Sequence, residues 1–126
     1  MKVGAFDTSE FDCKDGSKSP FPTVVEPALL YLLMCIRDRF GKPIIVNSGY
    51  RSPEWNAKVG GAANSFHVKG LAADIRPSSA DADQLARLQD ICLRTNQIGG
   101  VGLYDTFVHV DARGSKARWD FRTKKD

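Results

Sequence analysis

The chain has 126 residues, of which 42% are hydrophobic and 26% charged, and it carries a formal net charge of +3 at pH 7. These values exclude a disordered or fibrous chain and describe one domain, large enough to bury roughly two-thirds of its unfolded surface without a disulfide or metal staple. Cys13, Cys35 and Cys92 form no C-x-x-C pair and argue for neither a disulfide framework nor a cysteine zinc site. The most apolar run, residues 28–36, is far short of the ~20 residues that cross a bilayer.

Residues 1–22 mix short apolar fragments with Asp, Ser, Lys and Pro and read as an irregular N-terminal arm. From Thr23 the apolar positions Val25, Leu29, Leu32, Leu33, Ile36 and Phe40 recur at helical spacing, with Thr23 and Glu26 as a capping box. Pro27 belongs in the first turn, and Gly41-Lys42-Pro43 stop the helix. Ile44-Ile45-Val46 predicts a buried strand, and Ser52-Pro53 a short helix that Gly60-Gly61 terminate. Leu71 to Ile75 reads as a second strand bounded by Pro77. A helix follows, capped by Ser78 or Ser79, with Leu85, Leu88, Ile91 and Cys92 on its apolar face and an end near Asn96. Residues 99–104 and 107–110 predict two strands joined by a turn at Asp105-Thr106. This order predicts a single α+β domain: a small, mainly antiparallel sheet with helices packed on one face. Cys35 and Cys92 read as buried small hydrophobes within the helices.

Chemistry concentrates in residues 48–75, where Arg51, His67 and Asp74 stand among small side chains, and in the strand around His109, the second of two histidines. Strand alternation places His109 on one face with Phe107 and Asp111, and Val108 and Val110 on the other. Asp74 is flanked by Ala72, Ala73 and Ile75, and a buried carboxylate needs compensation. Two imidazoles and a carboxylate from His67, Asp74 and His109 would suit zinc with one open position. A salt bridge from Asp74 to Arg51 or Arg76 would also satisfy the carboxylate.

The motifs Ser48-Gly49-Tyr50-Arg51-Ser52-Pro53, Asn56, Val59-Gly60-Gly61-Ala62, Ser65-x-His67-x-x-Gly70-x-Ala72-x-Asp74-Ile75 and Phe107-Val108-His109-Val110-Asp111 closely resemble the zinc D-Ala-D-Ala carboxypeptidase family of murein peptidases. That fold is shared with D-Ala-D-Ala dipeptidases, phage L-alanyl-D-glutamate endolysins and the Hedgehog signalling domain. The resemblance implies a peptidase domain over residues 23–119, and the Lys and Arg excess near the end reads as a basic tail at 120–126. It implies one zinc ion on His67, Asp74 and His109, Arg51 beside the metal to stabilise the oxyanion and bind substrate, and Ser65 as a hydrogen-bonding partner of the substrate peptide.

Several members of the family place an acid three residues before the last zinc histidine, where this chain has Thr106. Asp111 is therefore the first candidate for general base and Asp105 the second, with Asp111 alternatively orienting an imidazole. The implied activity is hydrolysis of peptide bonds next to D-amino acids in peptidoglycan, by a D,D-carboxypeptidase, a D,D-endopeptidase or an L-Ala-D-Glu endopeptidase. A non-catalytic, zinc-containing binding module for wall peptides is the rival reading. The expected partner is a peptidoglycan stem peptide, with no nucleic acid, no membrane and a monomeric state. No signal peptide is read at the N-terminus, so synthesis in the cytoplasm and action on the wall, with a phage origin and release or virion delivery, is the expected route.

Overall fold

Helix α1, Pro27–Phe40, buries Leu29, Leu30, Leu33, Ile36 and Phe40, a stripe at three- and four-residue spacing. Pro27 sits at the first helical position, where its missing N–H costs nothing. Gly41 ends the helix at φ 74° and donates its N–H to the Arg37 carbonyl at 2.9 Å, a left-handed cap that glycine adopts without strain. In this computed structural model the described residues are 2–3, 6–7, 27–49, 57–58, 66–67, 71–79 and 81–123. The expected capping box at residues 23–26 and most of the helix expected after Ser52 lie outside them.

Strand β3, Ile44–Ser48, pairs antiparallel with β4, Ala72–Pro77. The register slips between Val46 and Ser48, so that Val46 faces Ile75 and Ser48 faces Asp74. Helix α2, Ala82–Thr95, is capped by Asp81, whose carboxylate accepts the Asp83 N–H at 2.9 Å. Neither serine expected at that cap takes the role. Ser78 donates its N–H to the Pro43 carbonyl, and the Ser79 hydroxyl accepts from the Asp81 N–H, so the chain spends one more turn before the helix starts.

Strands β5, Gly100–Leu103, and β6, Val108–Asp111, form the expected antiparallel pair. The Tyr104 N–H donates to the Phe107 carbonyl across the turn. Buried Gln89 of α2 donates to both of those residues' carbonyls, at 2.9 and 3.2 Å, which fastens the turn to the helix layer.

Among the described residues the sheet has five strands in the order β3-β4-β6-β5-β7. Its edge strand β7, Ala117–Asp120, pairs parallel to β5 and was not expected, because its residues are all half-buried and show no apolar alternation. Of the segment read as an irregular arm, residues 2–3 and 6–7 are described. Strands β1, Lys2–Val3, and β2, Phe6–Asp7, pair antiparallel, and Phe6 is buried in the core.

The α+β reading holds. Val46, Ala73, Ile75, Val101, Leu103, Val108 and Val110 on one sheet face meet Leu29, Leu33, Ile36, Phe40, Leu88 and Cys92 of the helices. Of the cysteines read as buried, Cys92 is enclosed and burial pushes its thiol pKa up, whereas Cys35 is only half-buried. No helix among the described residues is long and apolar enough to cross a membrane.

Candidate metal centre

Period-two alternation turns Asp74, His109 and Asp111 onto the sheet face opposite the helices. In the register, Ser48, Asp74, His109, Gly102 and Trp119 stand opposite one another across all five strands, in the order β3, β4, β6, β5, β7. His67 lies in the short turn before β4, which is closed by the Leu71 N–H donating to the Phe66 carbonyl at 2.9 Å.

The three residues converge. Ligand atoms of His67, Asp74 and His109 all lie within 4.8 Å of one another. His67 Nδ1 is 2.8 Å from the Gly49 carbonyl oxygen; a carbonyl only accepts, so Nδ1 carries the proton and Nε2 presents its lone pair. That Nε2 is 3.3 Å from Asp74 Oδ1, which is also 3.0 Å from His109 Nδ1. The opposite nitrogen, His109 Nε2, is 2.8 Å from Asp111 Oδ2. Both imidazoles are thus anchored at their outer nitrogens with their inner nitrogens turned to one point, the arrangement a metal-ligating histidine needs. Two imidazole nitrogens and one carboxylate oxygen are a donor set that zinc takes, with a fourth position left open.

The charges follow from these contacts. Burial opposes ionisation of Asp74, but hydrogen bonds with His109 and His67 outweigh it and hold its pKa well below the usual carboxylate range. Burial likewise works against a charged His109, and Asp111 and Asp74 overcome it, raising the imidazole pKa above its ordinary value. Arg76, considered from the sequence as a partner for Asp74, instead donates to Asn47 Oδ1 at 3.0 Å and to the Pro77 carbonyl at 3.2 Å.

Asp111 is fully enclosed, at 0% exposure. Its Oδ1 accepts from the Gly100 N–H at 3.0 Å, the Arg113 N–H at 3.2 Å and Arg113 Nε at 2.8 Å. Its Oδ2 accepts from Arg113 Nη2 at 2.7 Å and faces His109 Nε2. Burial alone would raise its pKa, yet the hydrogen bonds from His109 and Arg113 hold it below the usual range. Asn96 supports the same corner, with Nδ2 donating to the carbonyls of Gly100 and Asp111 and Oδ1 accepting the Gly99 N–H.

Trp119 completes the wall. Its ring centroid is 5.1 Å from that of His109, and its Nε1 donates to the Tyr104 hydroxyl at 2.9 Å. This packing requires Gly102, since a Cβ there would stand 2.2 Å from the indole; at Gly100 it would stand 2.4 Å from the Asp111 carboxylate. The Arg113 guanidinium lies 4.5 Å from the Phe66 ring centroid and 5.4 Å from that of Trp119. Arg113, Asn96, Gly100, Gly102 and Trp119 are not among the site residues expected from the sequence; the Gly-x-Gly within an apolar strand was the available signal.

The remaining candidates are placed differently. Arg51 and Ser65 lie outside the described residues. Asp105 is exposed on the β5–β6 turn and accepts from the N–H and hydroxyl of Thr123 at 2.9 and 3.1 Å. It is three residues beyond Gly102, or ~10 Å along an extended strand from the row that holds His109.

The sequence model of the peptidase M15 family matches residues 4–111. The chain belongs to the peptidase M15 family. This M15 chain is 44% identical over 59 residues to a zinc D-Ala-D-Ala carboxypeptidase from Streptomyces albus G, a match that covers 46% of this chain and 23% of the relative. The chain therefore spans about a quarter of the length of that relative. Among solved structures it resembles the L-Ala D-Glu endopeptidase ChiX from Serratia marcescens, with a TM-score of 0.54 at 19% identity over 71% of this chain and 80% of that one. That likeness supports the fold, and the three convergent donors are what this M15 chain places on the sheet face opposite the helices.

Proposed function

We propose that the protein is a zinc-dependent peptidase that hydrolyses peptide bonds next to D-amino acids in the stem peptides of bacterial peptidoglycan. The observation that carries this is the convergence of the His67, Asp74 and His109 ligand atoms in an M15 chain, on the sheet face opposite the helices. The names of the relatives add to it, since one is a zinc D-Ala-D-Ala carboxypeptidase and the other an L-Ala D-Glu endopeptidase. Bound zinc supplies a Lewis acid with an open position for water or a substrate carbonyl.

The protein's own residues do the positioning. The Gly49 carbonyl fixes the His67 tautomer, and Asp111 fixes that of His109 by accepting the proton on Nε2. With its oxygens already engaged by His109, Arg113 and Gly100, Asp111 fits the orienting role better than that of proton acceptor. Arg51 is assigned to the oxyanion and Ser65 to the substrate backbone, as the resemblance implies. The site of action in this reading is the cell wall.

Digestion of purified muropeptides with the zinc-loaded protein, read by mass spectrometry, tests the proposal. A defined new peptide end, lost with chelator and regained with zinc, is the expected result. A second reading, a wall-peptide binding module, draws on the engagement of both candidate acids, Asp111 by Arg113 and Asp105 by Thr123. Retention of the peptides without any cleavage would establish that reading and sink the first.

A further inference from the structure

The wall behind His109 contains a cation that the ligand set does not require. Arg113 lays its guanidinium fork on both oxygens of Asp111, Nε to Oδ1 at 2.8 Å and Nη2 to Oδ2 at 2.7 Å, while its own N–H also reaches Oδ1. The planar group is flanked by the Phe66 and Trp119 rings at 4.5 and 5.4 Å. Phe66 directly precedes the ligand His67, and Trp119 lies against the ring of the ligand His109.

We infer that Arg113 is a positioning residue for the metal: through its two-pronged grip on Asp111 and its place between Phe66 and Trp119, it holds the imidazole of His109 in the orientation that ligates. The inference rests on the zinc reading of His67, Asp74 and His109. Geometry and chemistry agree on it. Asp111 is fully buried, and a buried carboxylate that lost its counter-cation would relax toward another donor. That change alters what the carboxylate offers to His109 Nε2, and hence the angle of Nδ1 on the other side of the ring. The fork matters as well as the charge. A lysine can supply one ammonium but cannot span both oxygens and stack between two rings at once.

The test is zinc affinity, measured by competition with a chromophoric chelator on Arg113→Ala, Arg113→Lys, Asp111→Asn and the double variant Asp111→Asn/Arg113→Ala, with folding checked by near-UV circular dichroism. Loss of a group that orients a metal ligand typically weakens binding ~10- to 100-fold. Arg113→Ala is expected in that range, Arg113→Lys is expected to be several-fold weaker than wild type, and the double variant no weaker than Asp111→Asn alone. Wild-type affinity in Arg113→Ala, or losses that multiply in the double variant, would overturn the inference. If Arg113→Ala does not fold, Arg113→Lys decides, since wild-type affinity in it excludes a role for the fork. A wild-type protein that binds no zinc would instead remove the zinc reading itself, so the two failures are distinguishable.

Discussion

His109 faces a carboxylate through each of its ring nitrogens: Nδ1 lies 3.0 Å from Asp74 Oδ1 and Nε2 lies 2.8 Å from Asp111 Oδ2. The two aspartates come from different strands and are solvated differently, Asp74 at 8% exposure and Asp111 at none. The imidazole is therefore held between an inner acceptor that shares its site with His67 and an outer acceptor sealed beneath Arg113. That asymmetry decides which nitrogen is available to a metal.

Asp111→Asn separates orientation from proton transfer. If Asp111 orients His109, zinc affinity falls ~10- to 100-fold, and much of the turnover returns at saturating zinc. If it is the general base, affinity holds and kcat collapses at every zinc concentration. The first pattern is expected, from chelator competition and turnover titrated with zinc.

Zinc should stabilise the wild-type fold by mass action, by about 4 kcal/mol at a free concentration one thousand times Kd. Asp74→Ala removes a ligand and should abolish that shift, as read from melting temperature with and without zinc. A zinc-dependent rise of equal size in the variant would exclude Asp74 from the site.

Gly102→Ala brings a methyl group to 2.2 Å from the Trp119 indole. The indole must move, and overpacking of this kind typically costs 1–3 kcal/mol. Trp119 should then separate from His109, so the variant should combine lower stability with altered tryptophan fluorescence and weaker zinc binding. Unchanged zinc affinity with shifted fluorescence would show that the indole plays no part in holding the ligand.

The metal-free protein should be most stable in mildly acid solution. Asp111 is depressed below its ordinary 3.8, so its contribution is complete above that value and is lost as pH falls toward its folded pKa. His109 is raised above 6.5, so its contribution is complete below that value and is lost as pH rises through its folded pKa. Urea titrations across the range should therefore give an optimum between about 4 and 6.5 when zinc is absent. An optimum on the alkaline side would contradict the ion pairs around His109.

Much of the architecture was written in local patterns. The leucine spacing of α1, the apolar positions of α2 and the Val-x-Val alternation around His109 each specify an element and the face it buries. His67, Asp74 and His109 could be grouped from residue type and motif because, with no cysteine pair, imidazole and carboxylate are the donors left for zinc. What escaped depends on neighbours remote in sequence. Gly100 and Gly102 are small because Asp111 and Trp119 occupy the space above them. Strand β7 has no apolar alternation of its own and is held at the edge of the sheet by pairing with β5. The cap of α2 moved to Asp81 because Ser78 and Ser79 were spent on the turn before it.

The family match ends at Asp111, whereas Arg113 and Trp119 lie beyond it. His67, Asp74, His109 and Asp111, the direct partner of His109, lie within the matched residues, and Arg113, which holds Asp111, follows them. A chain shortened after residue 111 would keep His67, Asp74 and His109 and lose Arg113 and Trp119. If Arg113 orients His109 as inferred, exchanging residues 112–120 would change zinc affinity while leaving the coordination set as it is.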